Sequence, residues 1–265
     1  MHGVFDMLKS ASGLSIERID YPAATVPDHV QQQARDITGR LLEHIGFDDG
    51  CFNSEFMWDE EEERLRLIEV NTRISQSHSE MFTLVDGRSN HQVAVDVALG
   101  HAPSMPKGEG DLAVAAQYVV VHEGDAIVRG IPDASVLEQL AERYPGTKVD
   151  FPVSVGDRLS ELPHQDSYRY LLAIVYVGAP DRESLRRRIE DIEETLQFDL
   201  EDCGEGGADD DDDAHGHGGP SRGAGGGERL HPPSRRSPGG RADLAPGRRG
   251  RAAACGPRVH PLPQA

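Results

Sequence analysis

Three oxygen-bearing side chains and one guanidinium flank an acidic turn in this chain: Glu55 in CFNSEFMWD, then Glu69, Asn71 and Arg73 in LIEVNTR. Asp59 to Arg64 reads as the turn, which makes Cys51 to Trp58 and Leu65 to Arg73 two strands of a hairpin. With the turn centred near Glu62, position i faces position 124 minus i, so Glu55 opposes Glu69 and Asn53 opposes Asn71. Along the second strand Glu69, Asn71 and Arg73 project from one face, while Ile68 and Val70 point to the other. Like charges placed directly opposite each other destabilise a strand pair, so the arrangement calls for a cation or for water. Two carboxylates and an amide oxygen are hard ligands suited to magnesium, with water and phosphate oxygens in the remaining positions. A neighbouring arginine can steady the charge that develops during phosphoryl or acyl transfer. On spacing alone, an acidic hairpin whose charges simply face water is the simpler account of the same residues.

The elements around the hairpin follow from periodicity. Ser15 to Tyr21 reads as extended up to Pro22, and a helix is expected from about His29 to Ile45, with Val30, Ala34, Ile37, Leu41 and Ile45 at helical spacing and Gly46 as its stop. A second helix is expected near Asn90–Leu99. Strands follow near Ala113–His122 and Ala126–Ile131, then a helix near Ala134–Tyr144, strands near Lys148–Val153 and Tyr170–Val177, and a last helix Arg182–Leu196 capped by Asp181. Short strands mixed with helices point to an α+β or α/β body.

The 265 residues carry a formal charge of -19. Residues 1–200 hold 18 basic against 36 acidic side chains, and a body of that balance repels nucleic-acid phosphates. No stretch approaches the roughly 20 apolar residues of a membrane span, and MHGVFDMLKSASG lacks the basic start and apolar centre of a signal peptide. Cys51, Cys203 and Cys255 lie far apart, without the spacing of a zinc site or a disulfide framework. Together these features read as a cytoplasmic protein with reduced thiols. Between Gly204 and Ala265 stand 15 of the 29 glycines and 8 of the 17 prolines, with no periodic apolar face, so residues 201–265 are expected to be a disordered low-complexity tail. A GC-rich gene read out of frame yields the same composition.

The run FNSEFMWDEEEERLRLIEVNTRISQSHSEMF resembles the metal-binding strands of the ATP-grasp superfamily, in which a Glu on one strand precedes Glu-x-Asn-x-Arg on the next. YPA at Tyr21 to Ala23, the helix after it and the IGFDDG turn resemble the segment preceding that hairpin. Residues 113–198 resemble, more loosely, the small carboxy-terminal domain of the biotin carboxylase branch. The resemblance implies an ATP-grasp-like half domain of antiparallel strands and helices over residues 1–108, a small α/β carboxy-terminal domain over 109–200, and the tail over 201–265. It also implies that Glu55, Glu69 and Asn71 hold Mg2+, with Mn2+ as an alternative ion, against the phosphates of ATP, and that Arg73 holds an acyl phosphate.

Departures from that pattern shape the expected function. In biotin carboxylase the residues after Asn-Thr-Arg-Ile supply a glutamine and a glutamate that handle bicarbonate, whereas Ser75 and Ser77 stand there in this chain. His78 matches a histidine of that branch, although a lone His after a strand is more often structural. Lys9 has no glycine-rich loop beside it and does not read as a phosphate-binding lysine. The phosphate-binding lysines, glycine-rich flap and adenine hinge of the family's first half find no counterpart in the matched segment. The reading is an ATP-dependent ligase, truncated to its metal-bearing half, that joins a small carboxylate to an amine or thiol through an acyl phosphate. A non-catalytic remnant or partner module, completed by a homo-oligomer or another subunit, is the competing reading, and a biotin carboxylase-like subunit the third.

Overall fold

The computed structural model describes residues 2–10, 15–163, 169–203, 253–254 and 258–261. In chain order the elements are β1 (Phe5–Lys9), β2 (Ile16–Tyr21), α1 (Asp28–His44), β3 (Cys51–Asp59), β4 (Arg64–Asn71), a 3-10 turn (Gln76–His78) that runs into α2 (Ser79–Asp86), and α3 (Asn90–Ala98). Then come β5 (Val114–Glu123), β6 (Ala126–Gly130), α4 (Ala134–Arg143), β7 (Lys148–Asp150), a 3-10 turn (Leu159–Glu161), β8 (Arg169–Ala179), α5 (Arg182–Thr195), β9 (Asp199–Asp202), β10 (Ala253–Ala254) and β11 (Arg258–Pro261). This is an α+β fold. Antiparallel ladders join β1 to β2, β2 to β5, β5 to β8, β8 to β7, and β3 to β4. β11 runs parallel to both β1 and β3, and β10 runs parallel to the start of β3. A separate antiparallel pair is formed by β6 and β9.

β9 runs across the 200/201 boundary drawn from composition, and Ala253–Ala254 and Arg258–Pro261 are strands within the segment expected to be disordered. The rest of that segment lies outside the described residues. All described residues belong to one compact unit, and none of the described helices is long and apolar enough to cross a membrane.

Helices cover both faces of the central ladder because the strands alternate. Ala116 and Tyr118 of β5 and Ala173, Val175 and Val177 of β8 pack on Leu185, Ile189 and Ile192 of α5 and on Leu140 of α4. On the opposite face Ala115 joins Phe5, Met7, Ile19 and Tyr21 beneath Met81, Phe82 and Val85 of α2. Each fully buried Val, Leu, Ile, Phe or Met among them contributes roughly 1.5–3 kcal/mol, and each alanine less. α5 starts where Asp181 Oδ1 accepts from the Ser184 N–H at 2.8 Å, as its sequence implies. α1 ends before Gly46, whose φ of 66° closes the helix at little steric cost. α3 begins in a capping box, with Ser89 accepting from the Gln92 N–H and Gln92 Oε1 from the Ser89 N–H.

One buried acid ties three segments together. Asp86, at the end of α2, is 1% exposed and accepts from Tyr21 Oη at 2.6 Å, the Gly108 N–H at 2.8 Å and His2 Nε2 at 2.9 Å. Burial pushes its carboxyl upward, but the bonds from His2, Tyr21 and Gly108 outweigh it and leave Asp86 below the usual carboxylate range. Burial, reinforced by Asp86, pushes the Tyr21 phenol up. A carboxyl whose pKa is lower in the folded state stabilises fully above its unfolded value of about 3.9 and loses that contribution as pH falls through the folded value. Asp86→Asn should therefore cost about 1–3 kcal/mol in urea unfolding at neutral pH. The gap to the parent should hold down to about pH 5 and narrow below about pH 4; a gap that widens on acidification would contradict this assignment.

Candidate functional site

β3 has two unlike faces. Phe56 and Trp58 pack with Val30 and Ala34 of α1, and on the same side Thr38 Oγ1 lies 3.1 Å from Ser54 Oγ. Asn53 and Glu55 occupy the alternate positions and so face away from α1. The expected pairing is observed here: Asn53 opposes Asn71 and Glu55 opposes Glu69. The hairpin turn is closed by Asp59, which accepts from the Glu62 N–H and from Arg66 Nη1, both at 3.1 Å. The Glu62 N–H and, against the cost of burial, the Arg66 guanidinium hold the Asp59 carboxyl below its ordinary range.

The pairing slips by one residue between the site and the turn. Phe56 pairs with Leu67, not with Ile68, so Ile68 forms a bulge. In an uninterrupted strand Leu65, Leu67, Glu69 and Asn71 would share one face. The bulge separates them: Leu65 and Leu67 pack against the Phe56 and Trp58 cluster, whereas Glu69 and Asn71 join Asn53 and Glu55 on the open face. Ile68 itself is 49% exposed.

On that face Asn71 Nδ2 donates to Glu69 Oε1 at 2.5 Å and to Asn53 Oδ1 at 3.3 Å. Both of its hydrogen bonds use the nitrogen, which leaves Asn71 Oδ1 for a ligand. Asn53 is fully buried and its Nδ2 donates to the Arg73 carbonyl at 3.1 Å, a positioning contact that spacing gives no sign of. Glu69 and Arg73 are exposed, and Glu55 and Asn71 are half-buried. Among the described residues no three His, Cys, Asp or Glu side chains gather into a metal-binding group. The oxygens here are two opposed carboxylates completed by an amide, a donor set that fits a hard divalent cation keeping water or phosphate in its other positions.

The segment after Arg73 is held from below. The Asn90 Nδ2 donates to the Ser75 carbonyl at 2.8 Å, Ser79 Oγ donates to Asn90 Oδ1 at 2.6 Å, and Ser75 Oγ lies 2.9 Å from Ser77 Oγ. His78 is fully buried and stacks on Phe5, with ring centroids 3.8 Å apart, which makes it part of the core. Lys9 is exposed at the end of β1.

Residues 8–102 match the family model of the carbamoyl-phosphate synthase L chain, ATP binding domain. Carbamoyl phosphate synthase large chains from Clavibacter michiganensis subsp. michiganensis and Micrococcus luteus are 34% and 32% identical over 80 residues, which is 30% of this chain and 7% of each relative. Phosphoribosylglycinamide synthetase from Anaerococcus prevotii superposes with a TM-score of 0.55 at 10% identity, over 74% of this chain and 48% of that one. A biotin carboxylase complex from Campylobacter jejuni superposes with a TM-score of 0.52 at 14% identity, over 74% and 42%. The biotin carboxylase domain of Hydrogenobacter thermophilus 2-oxoglutarate carboxylase, solved with MgADP, ADP and bicarbonate, gives 0.51 at 17% identity, over 74% and 41%. Residues 8–102 are thus similar to an ATP-binding domain of the carbamoyl-phosphate synthase type, and about three quarters of the chain shares the fold of these ligases and carboxylases. It spans less than half of each of these solved structures and about a fourteenth of the curated relatives.

The bulge can be tested by removing it. Deleting Ile68 forces a choice between exposing Leu65 and Leu67 and turning Glu69 and Asn71 into the core, and should cost at least about 3 kcal/mol in urea unfolding. Ile68→Thr, at a half-exposed position, should stay within about 1 kcal/mol of the parent.

Proposed function

We propose that the β3–β4 hairpin is the cation and phosphate-binding wall of an ATP-dependent ligase that activates a small carboxylate as an acyl phosphate. The observation that supports this most directly is the register that sets Glu55 opposite Glu69, with Asn71 turned to present its oxygen beside them. Glu55, Glu69 and Asn71 are the residues that would hold Mg2+ or Mn2+ against the ATP phosphates. When bound, such an ion neutralises phosphate oxygens and acts as a Lewis acid. Arg73, two positions beyond Asn71 and exposed, is placed to orient the transferring group and to stabilise its charge through a forked guanidinium. The nucleophile, an amine or thiol, then displaces phosphate from the acyl group. Fixing both partners beside these side chains is worth more than any single contact, because it removes the entropy cost of bringing them together.

Glu69 and Arg73 open to solvent, which favours a second wall supplied by another segment or subunit, with the chain acting as one half of a nucleotide site. The carboxylase reading is weaker. Ser75 and Ser77 bond to each other and offer no carboxylate where the biotin carboxylase branch handles bicarbonate, so these positions supply no such general base.

Isothermal titration of MgATP into the full chain should give saturable heat of low affinity, as one wall of a divided site does. Glu69→Gln and Asn71→Ala should each weaken binding about 10–100-fold with unchanged far-UV circular dichroism. Binding of unchanged strength in both variants would overturn the assignment.

A further inference from the structure

We infer that Asn53, outside the ligand set itself, is the positioning residue that decides which end of the Asn71 amide faces the cation. This rests on the functional reading above. The Arg73 carbonyl can only accept, so the Asn53 group directed at it, 3.1 Å away, is the NH2. Asn53 Oδ1 is thereby turned the other way, toward Asn71, and an oxygen there can only accept. Asn71 therefore presents its own NH2 to Asn53, and the same nitrogen reaches Glu69 Oε1 at 2.5 Å. What is left of the Asn71 amide is its oxygen, the only end that can ligate a hard cation.

Burial makes the chain of constraints strict. Asn53 is 0% exposed, so a flipped amide would set its oxygen against the Arg73 carbonyl and its NH2 against that of Asn71, and the Asn53 group would have no solvent of its own to turn to. The strand around it is fixed from the other side by the packing of Phe56 and Trp58 on α1 and by the Thr38–Ser54 contact. Polarity is thus passed from a backbone carbonyl through one buried amide to a second amide at the surface. The same contact ties the backbone of Arg73 to the strand that carries Glu55.

The test uses the full chain with two readouts, Mn2+ affinity from electron paramagnetic resonance of the free ion and the side-chain amide signals of Asn71 in 15N NMR without metal. Asn53→Ala should shift the Asn71 Nδ2 signals and weaken Mn2+ binding about 10–100-fold. In an Asn71→Asp background, where an oxygen is presented whichever way the group turns, the same replacement should change affinity less than about threefold. A role confined to packing predicts equal losses in both backgrounds, and that result, or unmoved Asn71 signals, would overturn the inference. If the parent takes up no Mn2+ while the Asn71 signals do move, the metal-site reading falls and the positioning role stands. Should Asn53→Ala fail to fold, the parent alone decides: the Asn71 Nδ2 protons should exchange with water at least about tenfold more slowly than those of exposed Gln76, and equal rates would refute the bonding pattern.

Discussion

A strand of eight residues, Arg64–Asn71, has to give two leucines to a hydrophobic core and two polar side chains to the opposite face. All four sit at odd positions, and a regular strand sends odd positions one way. The single unpaired residue at Ile68 resolves the conflict, and much else depends on it. α1 can seal its side of the hairpin because Leu65 and Leu67 stay with Phe56 and Trp58. Glu69 can oppose Glu55 because the count resumes one residue later. Bulges cost a ladder bond, and here the loss falls where the strand turns its odd positions from the core to the open face.

Around that hairpin the structure spends its buried polar groups on holding backbone in place. Asn53 grips the Arg73 carbonyl, Asn90 grips the Ser75 carbonyl, and Asp86 gathers the Gly108 amide with Tyr21 and His2. In each case a side chain inside the protein satisfies a group on a connecting segment, which no regular ladder could do. The segment that follows β4 and leads into the 3-10 turn is thereby anchored at Arg73 and at Ser75, which narrows the positions its backbone can take.

The longer elements were legible in the sequence. α1 and α5 repeat their apolar residues over several turns and carry clear start or stop signals, and Asp181 caps as its type suggests. Glu55 and Glu69 were paired correctly because an acidic turn flanked by alternating strands leaves few registers open. The slip at Ile68 could not be read, since it arises from the demand of α1 on Leu65 and Leu67 and not from any local preference of Ile68. β1 and α2 leave no periodic signal in the sequence because five and eight residues hold too few repeats of either period. β9 is so acidic that it passes for a solvated run until β6 is seen beside it. The burial of His78 and the bond from Asn53 to Arg73 depend on where the chain travels after β4, which spacing does not reveal.

Among the described residues β4 pairs with β3 alone, so its outer row of N–H and C=O groups has no partner strand. Such a row invites another chain to extend the sheet. The charges of Arg64, Arg66 and Glu69 and the kink at Ile68 are the features by which edge strands resist that invitation. Glu69, proposed above as a cation ligand, is thus also one of the charges that keep this edge from seeding self-association. Neutralising Glu69 would take one charge from that edge as well as from the proposed ligand set, so that lower solubility and weaker binding would arise from one change in charge.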